Sequence, residues 1–161
     1  MKKELRIASI LDNMYRVERF VEEVSDEFHL NDDYFANIML ALTEAARNAI
    51  IHGNQEDPSR TVHVLMETKS QGLLFTVIDQ GEGFDHKKYS EYPEIIFDNS
   101  LKGRGLIMIF SVADDVKISN KGRVIQMLFS ITGVDNEIME RRYDLVREFF
   151  KEKKKTVGGT R

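Results

Sequence analysis

Apolar side chains at Met14, Val17, Phe20, Val21, Val24 and Phe28 return every three or four residues, with charged residues between them. That spacing lines one face of a helix and predicts an amphipathic helix over residues 13–28 resting on a core. Ahead of it, residues 4–11 alternate loosely and read as a first strand. Asn31 or Asp32 can cap a second helix, which the pattern carries to His52 and which stops at Gly53-Asn54. A loop with Pro58 follows over residues 55–60. Residues 61–68 and 73–79 are β-rich runs split by Lys69-Ser70-Gln71-Gly72, the pattern of a hairpin. A second hairpin, residues 116–119 and 123–132, turns at Asn120-Lys121-Gly122, where the chemistry resembles an Asn-Gly turn. Between the hairpins, the nearly unbroken apolar stretch 106–113 predicts a deeply buried third helix that begins near Gly103. Residues 80–102 hold glycine, charge and Pro93 without a sustained period, and long irregular stretches of this kind often act as lids. Asp135 can cap a last helix to about Lys151, packing through Ile138, Leu145, Phe149 and Phe150.

These elements assemble into an α+β domain: a two-layer sandwich in which helices cover one face of a mixed, mostly antiparallel sheet. The length of 161 residues suits one domain with one core. No apolar run approaches the about 20 residues that span a bilayer, and no export signal is read at the start. With no cysteine, disulfides, thiolate metal sites and cysteine nucleophiles are excluded. A cytoplasmic protein without membrane contact is the simplest expectation. The net charge of −4 argues against a broad nucleic-acid surface. The lysine-rich run 151–155 reads as a solvated tail. His29, His63 and His86 are scattered without zinc spacing, and Met39, Met66, Met108 and Met127 fall on apolar faces.

Three stretches carry candidate chemistry. In Leu42-Thr43-Glu44-Ala45-Ala46-Arg47-Asn48-Ala49-Ile50-Ile51-His52-Gly53-Asn54, the polar residues Glu44, Asn48 and His52 recur every fourth position and stack along one stripe beside small alanines. A glutamate and an asparagine are hard oxygen donors suited to Mg²⁺ and its waters, and the glutamate can equally accept a proton from a hydroxyl. A solvent-facing polar stripe has the same spacing. In Asp79-Gln80-Gly81-Glu82-Gly83-Phe84, an acid ends a strand and two glycines bracket one residue. The glycines allow close backbone approach, and the aspartate can accept a hydrogen bond from an exocyclic amine such as that of adenine. A plain Asp-Gly turn would look alike. In Lys102-Gly103-Arg104-Gly105-Leu106, a glycine-rich entry precedes an apolar helix, whose free N–H groups favour phosphate, with Lys102 and Arg104 adding charge. The third glycine of a dinucleotide fingerprint and the Gly-Lys-Ser/Thr of a Walker loop are both missing. In this order the three supply a metal site, a base site and a phosphate site, with a lid between the last two.

The combination resembles the GHKL ATPase superfamily, the Bergerat fold of gyrase, a class of heat-shock chaperones, sensor histidine kinases and mismatch-repair ATPases. Within it, the run from Glu44 through Asn48 and His52 to Gly53 is most similar to the N box of bacterial anti-sigma-factor serine/threonine kinases. Asp79, Gly81 and Gly83 resemble the first glycine box, and Gly103, Arg104, Gly105 and Leu106 the second. The likeness covers about residues 4–132, which makes residues 1–132 the kinase domain and residues 133–161 a helical extension with a basic tail that short family members lack.

That resemblance implies ATP and Mg²⁺ as cofactors. Asn48 would ligate the metal, Glu44 would be the general base toward a partner's serine, and His52 would border the nucleotide. Asp79 would read the adenine amine with Gly81 and Gly83 around the base, and Gly103, Arg104, Gly105 and Leu106 would hold phosphates. Arg16 matches in place an arginine such kinases turn toward their partner. The implied partners are a sigma factor and an anti-sigma-factor antagonist, and the implied assembly is a homodimer. A nucleotide-binding module that sequesters partners without turnover uses the same residues. A detached histidine-kinase catalytic domain is a further alternative, for which the residues ahead of the N box leave little room.

Overall fold

The computed structural model describes residues 1–83 and 101–131, with residues 101–103 described by the course of their helix alone. Residues 84–100 of the candidate lid expected at 80–102, the last helix expected at 135–151 and the basic tail lie outside the described residues.

Five strands form one sheet: β1 (Lys2–Ala8), β2 (Thr61–Lys69), β3 (Gly72–Ile78), β4 (Asp115–Ser119) and β5 (Val124–Ser130). Their order across the sheet is β1-β2-β3-β5-β4. Every pairing among the described residues is antiparallel, so the parallel component of the expected mixed sheet is not found there. The two hairpins account for β2–β3 and β4–β5. Strand β1 joins β2 with Leu5 opposite Val64 and Ile7 opposite Val62. It starts earlier than its alternation suggests, because Lys2 already pairs with Glu67, and it ends at Ala8, where the chain turns into a short 3₁₀ segment, Leu11–Asn13.

The register puts the apolar positions on one face. Val64, Val77 and Ile125 lie across neighbouring strands in one row, and Met66, Phe75 and Met127 in the next. All six are buried. Phe75 and Phe129 meet edge to face at 5.9 Å between ring centroids, a geometry favoured by their quadrupoles. Because side chains alternate along a strand, the opposite row carries Glu4, Arg6, His63, Glu67 and Gln126.

Helices α1 (Met14–Phe28) and α2 (Asp32–Asn48) cover the apolar face together with α3 (Leu101–Val112). Helix α1 buries Val17, Phe20, Val21 and Val24, the stripe its periodicity predicts. It stops at His29, which turns left-handed at φ 50° while Leu30 N–H donates to Ser25 O at 3.0 Å. Asn31 then caps α2 by accepting Tyr34 N–H at 2.9 Å, and Asp32 and Asp33 in the first turn favour the positive end of the helix dipole. Helix α2 packs against both α1 and α3. Its α-helical hydrogen bonding ends at Asn48, short of the expected His52. The chain continues as a π-helical turn, Ala49–Gly53, closed by Asn54 N–H donating to Ala49 O, five residues back, at 2.8 Å. Such widened turns are frequent at functional sites.

Candidate functional site

The C-terminal half of α2, the end of β3, the start of α3 and the start of β5 enclose a cleft. It holds about 500 Å³, counting space open to solvent, the scale of small-molecule sites. Helix α2 and its π turn contribute Ala45, Asn48, Ala49, His52 and Gly53. Strand β3 contributes Val77, with Asp79 directly after its last residue and Gly83 beyond it. Leu106 of α3 and Gly122, Arg123 and Ile125 of the β4–β5 hairpin complete the lining. The walls are mostly apolar and small, which suits a flat ring, and the polar groups converge from Asn48, His52, Asp79 and Arg123.

Asp79 sits half-buried where β3 ends. Its backbone N–H donates to Arg123 O at 3.0 Å, and its Oδ1 accepts Gly81 N–H at 2.8 Å. Burial pushes its carboxyl above the ordinary value of 3.8, against the Gly81 hydrogen bond and the positive charges of Arg123 and Arg60, which pull it down. The carboxylate lies directly on the π turn. A Cβ at Gly53 would fall 2.4 Å from Asp79 Cγ, so no other residue fits there without moving the acid. Gly81 is equally tight against the backbone, since its Cβ would come 1.9 Å from Gly53 O. Gly83 has φ +85° and abuts the β4–β5 turn, where its Cβ would meet Lys121 O at 2.2 Å. Three glycines thus let the Asp79 turn, the π turn and the hairpin tip close on one another.

The second glycine motif meets the first helix. A Cβ at Gly105 would lie 2.8 Å from Asn48 Nδ2 and 3.0 Å from Glu44 Oε2. Glu44 and Asn48 are half-buried on the border of α2, so their polar ends gather at the α2–α3 contact. Glu44 is not part of the cleft lining itself but stands beside Asn48 at its edge. The α3 helix already begins at Leu101, so Gly103, Arg104 and Gly105 lie within its opening turns and not ahead of it. Arg104 is exposed and Leu106 buried. Arg16 is exposed on α1, off that helix's buried stripe, and does not line the cleft.

The residues fit the group the sequence suggested. Among the described residues no set of three or more acidic or histidine side chains forms a protein-only metal cage. Mg²⁺ does not need one, because it keeps several waters and binds through one or two protein oxygens plus phosphates. Asn48 Oδ1 and the Glu44 carboxylate beside it are oxygens of that kind. A model of the histidine kinase-like ATPase domain matches residues 7–129. The chain belongs to that family. It is also similar to an anti-sigma F factor of Anoxybacillus flavithermus, 27% identical over 105 residues that cover 62% of this chain and 72% of that protein. The serine-protein kinase RsbW of Oceanobacillus iheyensis is 25% identical over 111 residues, covering 65% and 70%. An anti-sigma F factor of Heyndrickxia coagulans is 28% identical over 118 residues, covering 70% and 78%.

Within this family domain, sequence reasoning missed three contributors. Asn54 reads only as the stop after a helix. Gly122 reads as part of a hairpin turn, and Arg123 as the first residue of the strand that follows it. No local pattern joins that turn to Asp79, some forty positions earlier; only the β3–β5 pairing does, with Ile78 opposite Val124.

Proposed function

We propose that this chain is an ATP-dependent protein kinase of the anti-sigma-factor type, which sequesters a sigma factor and phosphorylates an antagonist of that sequestration on serine. The observation that supports it most is the seating of Gly105 against Glu44 and Asn48. It puts the first turns of α3 next to an amide suited to a metal and a carboxylate suited to act as a base. The names of the relatives, anti-sigma F factor and serine-protein kinase RsbW, supply the partner class.

In this reading Asp79 accepts a hydrogen bond from the exocyclic amine of adenine, while the small surfaces of Ala45, Ala49, Gly81 and Gly83 admit the ring. His52 borders the nucleotide. Gly103, Arg104, Gly105 and Leu106 form the first turns of α3 beside the phosphates, with the N–H groups at the start of the helix and its dipole favouring negative charge and the glycines leaving room for close approach. Asn48 would hold Mg²⁺, which would supply neutralisation of charge on the transferred phosphoryl group. Glu44 takes the proton of the partner's serine hydroxyl as that oxygen bonds to the γ-phosphorus. The bond from phosphorus to the bridging oxygen breaks, and ADP leaves. Arg16, exposed on α1, faces the protein partner. The kinase works as a cytoplasmic homodimer, without nucleic acid or membrane, and light scattering should return twice the mass of one chain.

The test is incubation with Mg²⁺-ATP and a candidate antagonist. Wild type should yield phosphoserine on the antagonist, and Glu44→Gln should lower the rate by about 10²- to 10⁴-fold. Transfer by Glu44→Gln at the wild-type rate would remove Glu44 as the base. Nucleotide and partner binding without any transfer would leave sequestration alone as the function.

A further inference from the structure

Asn54 is fully buried, yet it is polar. Its Nδ2 donates to Ser9 Oγ at 2.7 Å and to Thr61 O at 3.0 Å, and its Oδ1 accepts Gln80 N–H at 2.7 Å. These three bonds, with the Asn54 N–H closing the π turn, join four stretches of chain: the exit of β1, the end of α2, the first residue of β2 and the residue after Asp79. The Gln80 side chain repeats the tie, accepting Thr61 N–H on Oε1 at 2.7 Å. A site that only needed filling would be served as well by an apolar side chain, because a buried amide must have its partners matched to break even.

The bond to Gln80 N–H is the informative one. It fixes the peptide directly after Asp79, while Arg123 O fixes the N–H of Asp79 itself. The aspartate backbone is therefore held on both sides, and its carboxylate is aimed across the π turn. We infer that Asn54 is a positioning residue for base recognition: by pinning the Asp79–Gln80 peptide it sets how well the site separates a purine with an exocyclic amine from one with a carbonyl at that position. This rests on the nucleotide-binding reading given above.

Calorimetric titration of ADP and inosine diphosphate, both with Mg²⁺, tests it on the full chain. A site that hydrogen-bonds the amine should favour ADP by about 10-fold or more in wild type. Asn54→Ala should bring that ratio down to about 3-fold or less, chiefly by weakening ADP. In an Asp79→Asn background, where the contact to the amine is already lost, adding Asn54→Ala should lower the ratio no further, because Asn54 acts through Asp79. An unchanged ratio in Asn54→Ala, or equal weakening of both ligands, would overturn the inference. Should Asn54→Ala fail to fold, Asn54→Asp decides. It keeps an acceptor for Gln80 N–H while losing the amide donors, so its ratio should stay within about 2-fold of wild type even at a reduced melting temperature. A ratio that collapses together with its stability would count against positioning. Failure of wild type to bind ADP would instead overturn the nucleotide reading, and the inference with it.

Discussion

Asp79 lines the cleft with a carboxyl whose burial weighs against the stability of the fold at neutral pH. Burial raises its folded-state pKa above 3.8. For a carboxyl raised in this way, the folded state holds its proton to higher pH than the unfolded state does. The associated stability is fully present below the ordinary value and is lost as pH rises through the raised one. Asp79→Asn removes the ionisation and keeps an oxygen for Gly81 N–H, so the ligand-free variant should melt above wild type at pH 7. Calorimetric scans should show that gap narrowing as the pH is lowered through the raised value and wild-type Asp79 takes up its proton. The same substitution should weaken ADP binding by about 10- to 150-fold, the worth of one hydrogen bond to a charged group. That Asp79 lies in the cleft was legible only from the three motifs taken together, since by itself the motif looks like a plain Asp-Gly turn. Asn54 was not legible. A buried asparagine and a loop asparagine are spelled alike, and only the neighbours supplied by β1, β2 and β3 tell them apart.

At the scale of elements, the site is a matter of how closely α2 can be approached. Gly105 and Gly81 are both tight, but against different neighbours. A Cβ at Gly105 meets the ends of Asn48 and Glu44, which are side chains able to swing aside. Gly105→Ala should therefore leave the fold intact by circular dichroism and weaken Mg²⁺-ADP binding by about 10-fold, the loss of roughly one metal or phosphate contact. A Cβ at Gly81 meets the carbonyl of Gly53, which is backbone. Gly81→Ala should cost about 1–3 kcal/mol in chemical denaturation, the range for forced overpacking. Of the two cap candidates, Asn31 and Asp32, it is Asn31 that caps α2. The presence of α1, α2 and α3 and of both hairpins was readable from periodicity and turn chemistry. The π turn was not, because Ala49, Ile50 and Ile51 continue the helical pattern without a break, and the wider ring is selected by where Asn54 finds its partners. The start of α3 was read two residues late, since Leu101 and Lys102 carry no capping signal of their own.

For the whole molecule, the sheet face of Val64, Val77, Ile125, Met66, Phe75 and Met127 is the floor on which the helices are set. Phe75 occupies the central strand and touches Phe129. Phe75→Ala should cost about 3–5 kcal/mol, a loss readable as an earlier urea midpoint with an unchanged slope. The order of strands was beyond the sequence: alternation marks which face of β5 is inward but not that β5 sits between β3 and β4. That placement is what carries Gly122 and Arg123 to the cleft.

A cleft lined by residues 45–53, 77–83, 106 and 122–125 has a corollary for folding. None of those stretches makes a pocket alone, so nothing short of the completed topology can be occupied. Any occupant then acts as a census of finished molecules. With nucleotide at 100 times its dissociation constant, unfolding should be opposed by about 2.7 kcal/mol. Amide exchange should slow in the sheet as well as at the cleft, since opening any one wall would release the ligand.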